Sequence, residues 1–329
     1  MKKIYLLLSV FAMLFTACET DFDVNAQWEE TTVVYGLLDA SDEYPKQKIK
    51  ISKAFLGEMD AYEMAQHADS INFDIDELDV MIYKWGFSEI KDSVILDAVP
   101  TVREGDIFND SIVVYEFGNV NSFLQKGYEY ELVVKNNKSG NIVTSRTEIV
   151  SGFDFDNIFR TKNKAFQFGL YNNQDYGSST ITWEDANDNG KIYQLDLIIN
   201  YTEKSGLDSI TKSLTYSLPL VDDTEDKIKI EGESFFNFLR LNLSKDDDVV
   251  RYFNDIDMLM TVGSEDLETY INVNKPITGI VQERPQFTNI NNGIGLFSSR
   301  FTKIREEYEL TTSTLDYLKS VDGLDRNFQ

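Results

Sequence analysis

The twelve residues from Asp185 to Asp196 carry the chain's sharpest match to a metal-binding pattern. Asp185, Asn187 and Asn189 stand at positions one, three and five of such a loop, Gly190 at six, Ile192 at eight and Asp196 at twelve. That spacing points oxygen ligands at one calcium ion while the glycine permits the tight bend. The same Asp/Asn/Gly-rich run also has the composition of a hairpin turn. Trp183 before it and Tyr193 after it read as strand residues, which would leave Asp196 inside a strand. Calcium is the one cofactor these residues suggest. His67 is the only histidine, so sites built from several imidazoles are excluded and one imidazole base serves the whole chain. It lies between Gln66 and Ala68 in a polar stretch, without a G-x-S-x-G nucleophile motif anywhere in the sequence. Fifty-six carboxylates permit an acid pair of the glycosidase kind, but such pairs are defined by separation in space. Asn292-Gly293-Ile294-Gly295 lacks a third glycine, with Ser298 in its place, and reads as a turn in which Gly295 allows close backbone approach.

The N-terminus carries different chemistry. Lys2 and Lys3 precede an apolar run from Ile4 to Phe15, small residues Thr16 and Ala17, and then Cys18, the single cysteine. This is the layout of a secretory signal segment, and the run is too short to span a bilayer. An exported lone cysteine has no disulfide partner, so a free thiol there would be a liability. Leu14-Phe15-Thr16-Ala17-Cys18 resembles the lipobox of bacterial lipoproteins, with Phe15 where an aliphatic residue is usual. The resemblance implies removal of residues 1–17 and lipidation of Cys18. Two or three acyl chains hold stably, each buried methylene contributing about 0.8 kcal/mol. Glu19, Asp21 and Asp23 follow at once. They read either as a solvated tether or, by resemblance, as the acidic export signal of Bacteroidota surface lipoproteins, which implies the outer face of the outer membrane.

Composition narrows the partners. Loss of residues 1–17, which hold two lysines and no acid, moves the formal charge from −25 to −27. So acidic a chain is no binder of nucleic acid, which requires clustered Lys and Arg. Anionic headgroups would repel the folded body and leave the lipid as its membrane contact. Apolar residues at 42% and aromatics at 13% are ample for a real core.

Most of the chain has strand periodicity. Strands are expected over 31–38, 47–51, 78–85, 93–96, 111–117, 128–135, 142–150, 165–171, 179–183, 192–201, 209–218, 257–262 and 297–309. Short strands with turn signals between them predict a sandwich or barrel. Helices are expected over 57–70, from Ser244 through the aspartates 246–248, over 264–273 and over 312–320. The character of the chain changes around Ser151-Gly152-Phe153-Asp154. The expected organisation is therefore a signal segment 1–17, an acidic tether 18–30, a β-sandwich 31–150 and a β-rich domain 151–329.

Three stretches together resemble an uncharacterised group of Bacteroidota outer-membrane lipoproteins: Val33 to Leu38, Gly127 to Val134, and Pro285 to Phe297. The resemblance implies a mainly β chain, with an immunoglobulin- or transthyretin-like sandwich followed by a second β-sandwich-like domain bearing a few short helices. It carries no catalytic residues. The expected role is non-catalytic, as a binding or accessory subunit of an outer-membrane transport or assembly complex with a barrel partner. The competing readings are capture of an extracellular glycan or peptide, with Trp85 and Trp183 as stacking rings, and a carboxylate-dependent hydrolase. Replacing Cys18 with Ser is expected to release the protein from the membrane pellet into the soluble fraction on cell fractionation. Retention of the variant in the pellet would remove the lipid anchor from the account.

Overall fold

The computed structural model describes residues 31–41, 43–54, 71–102, 111–118, 123–150, 152–156, 165–171, 175–184, 189–276 and 286–329. Cys18, Glu19, Asp21, Asp23, His67, Asp185, Asn187 and the helix expected over 57–70 lie outside them. The fold is mainly β, with several sheets and short helices, consistent in general with a β-sandwich type.

In the first half the strands are β1 (Thr31–Asp39), β2 (Lys46–Ala54), β3 (Leu78–Gly86), β4 (Glu89–Ile95), β5 (Asp97–Val102), β6 (Ser111–Gly118), β7 (Glu129–Asn136) and β8 (Ile142–Glu148). The second half holds β9 (Leu170–Tyr171), β10 (Asp175–Tyr176), β11 (Ser178–Thr182), β12 (Ile192–Ser205), β13 (Asp208–Ser217), β14 (Val221–Asp222), β15 (Lys227–Glu231), β16 (Val250–Gly263) and β17 (Gly293–Tyr308). Its helices are α1 (Gly232–Asn242), α2 (Glu265–Asn274) and α3 (Thr312–Lys319).

One large sheet runs in the order β13-β12-β16-β17-β1-β2-β6-β5, with β14 pairing β12. A four-stranded sheet, β4-β3-β7-β8, faces its first-half end. Strict alternation explains why these segments are strands. In β3, Val80 and Ile82 point inward while Asp79 and Tyr83 do not, and β7 buries Tyr130, Leu132 and Val134 in the same rhythm. These side chains meet Val34, Leu38, Ile49, Ile51, Tyr115 and Phe117 of the large sheet in one core. A second core lies on β12 and β16 and contains Leu195, Leu197, Ile199, Met258 and Met260, roofed by Phe235, Phe236 and Leu239 of α1. The cores change over at Ile149 and Val150, although Ile290 and Phe297 belong to the first core. The sheet does not stop there.

The two halves of the sheet are joined by β1 and β17, the one parallel ladder among the described strands, with Val34 opposite Gly295, Gly36 opposite Phe297 and Asp39 opposite Arg300. Gly295 makes the approach possible. Its φ is +119°, and a Cβ there would stand 2.0 Å from the Val34 carbonyl oxygen.

Two expected elements differ. The helix expected from Ser244 is instead a turn, in which the Asp246 carboxylate accepts from the Asp248 N–H at 3.0 Å, followed by β16. Local Asx bonding competes with helix start there, and β16 then pairs with β12 from Val250 onward. Of the strand expected over 165–171, only Leu170–Tyr171 pairs as one, because Gly169 is pressed against the Ser313 backbone and Phe166 bridges Leu310.

Gly295→Ala is expected to cost about 3 kcal/mol or more in urea unfolding, since both φ and space oppose it. Gly206→Ala also has positive φ but open space around it, so only the conformational cost of about 1 kcal/mol remains. Equal losses at the two sites would contradict the close packing of β1 on β17.

Candidate functional site

The face of β1, β2 and β17 turned away from the first core carries a concavity. β1 contributes Tyr35, Leu37 and Asp39 to it; β2 contributes Lys46 and Lys48; β17 contributes Leu296 and Arg300. Period-two alternation puts them there, because Val34, Leu38, Ile49 and Ile51 already occupy the core face. The amphipathic helix α2 forms the opposite wall with Leu267, Tyr270 and Ile271, and Tyr44 stands on the rim. The cleft is open to solvent, and its volume is about 630 Å³, within the range of small-ligand sites.

Asp39 is buried beneath this cleft and fully engaged. Its carboxylate accepts from Arg300 Nε at 3.1 Å, Thr302 Oγ1 at 2.8 Å and the Ser41 N–H at 3.0 Å. Its backbone is clamped by Gln47, whose Oε1 accepts from the Asp39 N–H at 2.7 Å and whose Nε2 donates to the Asp39 carbonyl at 2.9 Å. A buried acid so well bonded orients Arg300 rather than reacting. The Arg300 guanidinium lies 4.8 Å from the Tyr44 ring centre, a cation–π contact. Its Nη groups have no protein partner among the described residues.

The aromatic side is equally fixed. Tyr35 and Tyr270 meet edge to face, with ring centres 6.1 Å apart. The Tyr35 and Tyr270 hydroxyls are hydrogen-bonded to each other at 3.3 Å. This bond, with burial adding to it, pushes the Tyr35 phenol up to about 12, so it stays neutral at physiological pH.

Lys46, Lys48 and Lys50 occupy successive outward positions on β2. Lys46 pairs with Glu116 at 2.7 Å, a bond that holds the Glu116 carboxyl below its usual range. Lys48 and Lys50 form no ion pair among the described residues. In a chain of formal charge −25, this is a local reversal of sign.

The sites expected from sequence fare differently. Asp196 lies within β12 opposite Leu259 and Ser217, where its carboxylate accepts weakly from Gln194 at 3.4 Å. The Asn189 side-chain amide donates to the Glu148 carbonyl at 3.0 Å. No group of three or more His, Cys, Asp or Glu is gathered for a metal among the described residues. Trp183 is only 3% exposed and stacks on Tyr193 in the second core. Trp85 lies on the surface of β3, but Arg146 covers its ring at 4.6 Å while Glu131 accepts from its indole N–H at 2.8 Å. Trp183 is closed off in the core, and one face of Trp85 is taken by Arg146. The tyrosine cleft was missed because its members come from three separated segments. The available signal was Gln47-Lys48-Ile49-Lys50-Ile51, whose lysines had to face away from the core.

No helix among the described residues is long and apolar enough to cross a membrane. Neither the models of known protein families nor the curated proteins compared with it match this chain.

Tyr270→Phe removes the hydroxyl with which Tyr35 shares its proton and is expected to bring the Tyr35 ionisation down from about 12 toward about 10, the ordinary phenol value. NMR of ring-labelled tyrosine across an alkaline titration reads this directly. An unmoved Tyr35 would contradict the hydrogen-bonded pair.

Proposed function

We propose that this chain is a non-catalytic binding protein, anchored in the outer membrane through lipid on Cys18, that serves as an accessory subunit of an outer-membrane transport or assembly complex. In this reading residues 31–150 form an immunoglobulin- or transthyretin-like sandwich, residues 151–329 a second β-rich domain, and the body stands on the cell surface. The observation that carries binding rather than catalysis is the state of the cleft's buried acid. Asp39 spends its oxygens on Arg300, Thr302 and Ser41, leaving no free carboxylate to pull or push a proton. What faces the cleft is recognition chemistry, namely tyrosine rings, aliphatic side chains and cations.

A partner surface also supports the accessory role. The β12–β13 hairpin projects with Leu207 and Ile210 exposed, and β13 is an edge strand of the large sheet. Exposed edges of this kind pair with a strand of another protein. Direct capture of an extracellular glycan or peptide, without a transporter, is the second reading, and the Tyr35, Tyr44 and Tyr270 rings favour it.

Mild-detergent extraction of native membranes, affinity capture and mass spectrometry separate the two. The accessory role predicts stoichiometric co-purification of a β-barrel membrane protein. Recovery of this chain alone, under conditions that preserve other membrane complexes, would sink it.

A further inference from the structure

We propose that the cleft between α2 and the β1–β2–β17 face takes a small ligand with a flat or apolar body and a single carboxylate. This rests on the binding reading above and names its ligand class. Arg300 supplies the first observation. Asp39 holds its Nε, so the side chain is fixed before any ligand arrives, and the two Nη groups remain to donate. A planar fork of this kind matches both oxygens of a carboxylate, and little side-chain freedom is lost on binding.

The second observation is charge. Three cations, Lys46, Lys48 and Arg300, line the cleft beside one carboxylate, Asp39, and the Glu116 carboxylate offsets Lys46 from the next strand. The surplus is close to one positive charge, which one carboxylate balances and a doubly charged phosphate would exceed. The third is the apolar remainder. Leu37, Leu267, Ile271 and Leu296 offer no hydrogen-bonding groups, while Tyr35 and Tyr270 present ring surface. A free sugar, with hydroxyls all round, would leave many of them unpaired against these residues. A body with an apolar face and one charged end fits both sides.

Isothermal titration of the full-length protein with phenylacetate, its uncharged isostere phenylacetamide, and phenyl phosphate tests this. Phenylacetate is expected to bind about tenfold more tightly than phenylacetamide, the worth of one charge-assisted contact. It is also expected to outbind phenyl phosphate. Arg300→Lys keeps the charge beside Asp39 but loses the fork, and is expected to weaken phenylacetate about fivefold while leaving phenylacetamide within about twofold. Lys48→Gln, at an exposed position with no structural bond, is expected to weaken phenylacetate about twofold. Equal binding of acid and amide would overturn the proposal, as would phenylacetate affinity unchanged in both variants. So would the absence of any binding, yet co-purification with a barrel protein would stand regardless, so the two readings fail separately.

Discussion

The parallel pairing of β1 with β17 is the contact on which the rest of this structure depends. It joins residues some 260 positions apart in sequence, Thr32 to Gly293 and Asp39 to Arg300 among them, and it turns two sets of antiparallel strands into one sheet. Closing so long a loop is entropically unfavourable, so the seam must return the cost through packing and hydrogen bonds. Phe297 does much of this. It is fully buried in the first core although β17 otherwise runs with the second half, and its ring fills the space that Gly36 leaves open. Ser299 adds a polar lock, accepting from the Val150 N–H at 3.0 Å where the two cores meet.

The cleft is the outer consequence of the same seam. Strands that bury Val34, Ile49 and Phe297 on one face must present Tyr35, Lys48 and Arg300 on the other, because side chains alternate with period two. Asp39 ties the faces together. It ends β1, belongs to the buried set, and reaches across the parallel pair to fix Arg300 and Thr302 of β17. The residue that closes the sheet is therefore also the one that aims the cation. A helix was needed only as the second wall, and α2, begun by Ser264 and carrying Glu265 and Asp266 in its first turn, supplies it.

The regular β pattern was legible wherever one face was apolar and the other was not. β1, β2, β3, β7 and β12 read as strands for that reason, as did α2 and α3 as helices. β16 was partly hidden because its first inward residue is Arg251, fully buried and held by Glu203 at 2.9 Å, Ser244 at 3.1 Å and the Arg326 carbonyl at 2.8 Å. A polar side chain at a core position breaks the apolar rhythm that sequence reading relies on. α1 went unread for another reason. Its Phe235, Phe236 and Leu239 are too few to mark a helix within so short a segment, and in the structure they pack into the second core, where Phe168 stacks on Phe235 at 4.2 Å. The cleft was the least legible feature, since nothing local announces that Tyr35, Tyr270 and Arg300 converge.

Hydrogen exchange followed by mass spectrometry across a urea series probes the seam most directly. With β1 and β17 holding both cores in one sheet, amides of β3 and β7 should lose protection at the same urea concentration as those of β12 and β16. Loss of protection in one core while the other stays closed would mean that the parallel ladder does not bind the halves together, and the cleft built across it would lose its foundation.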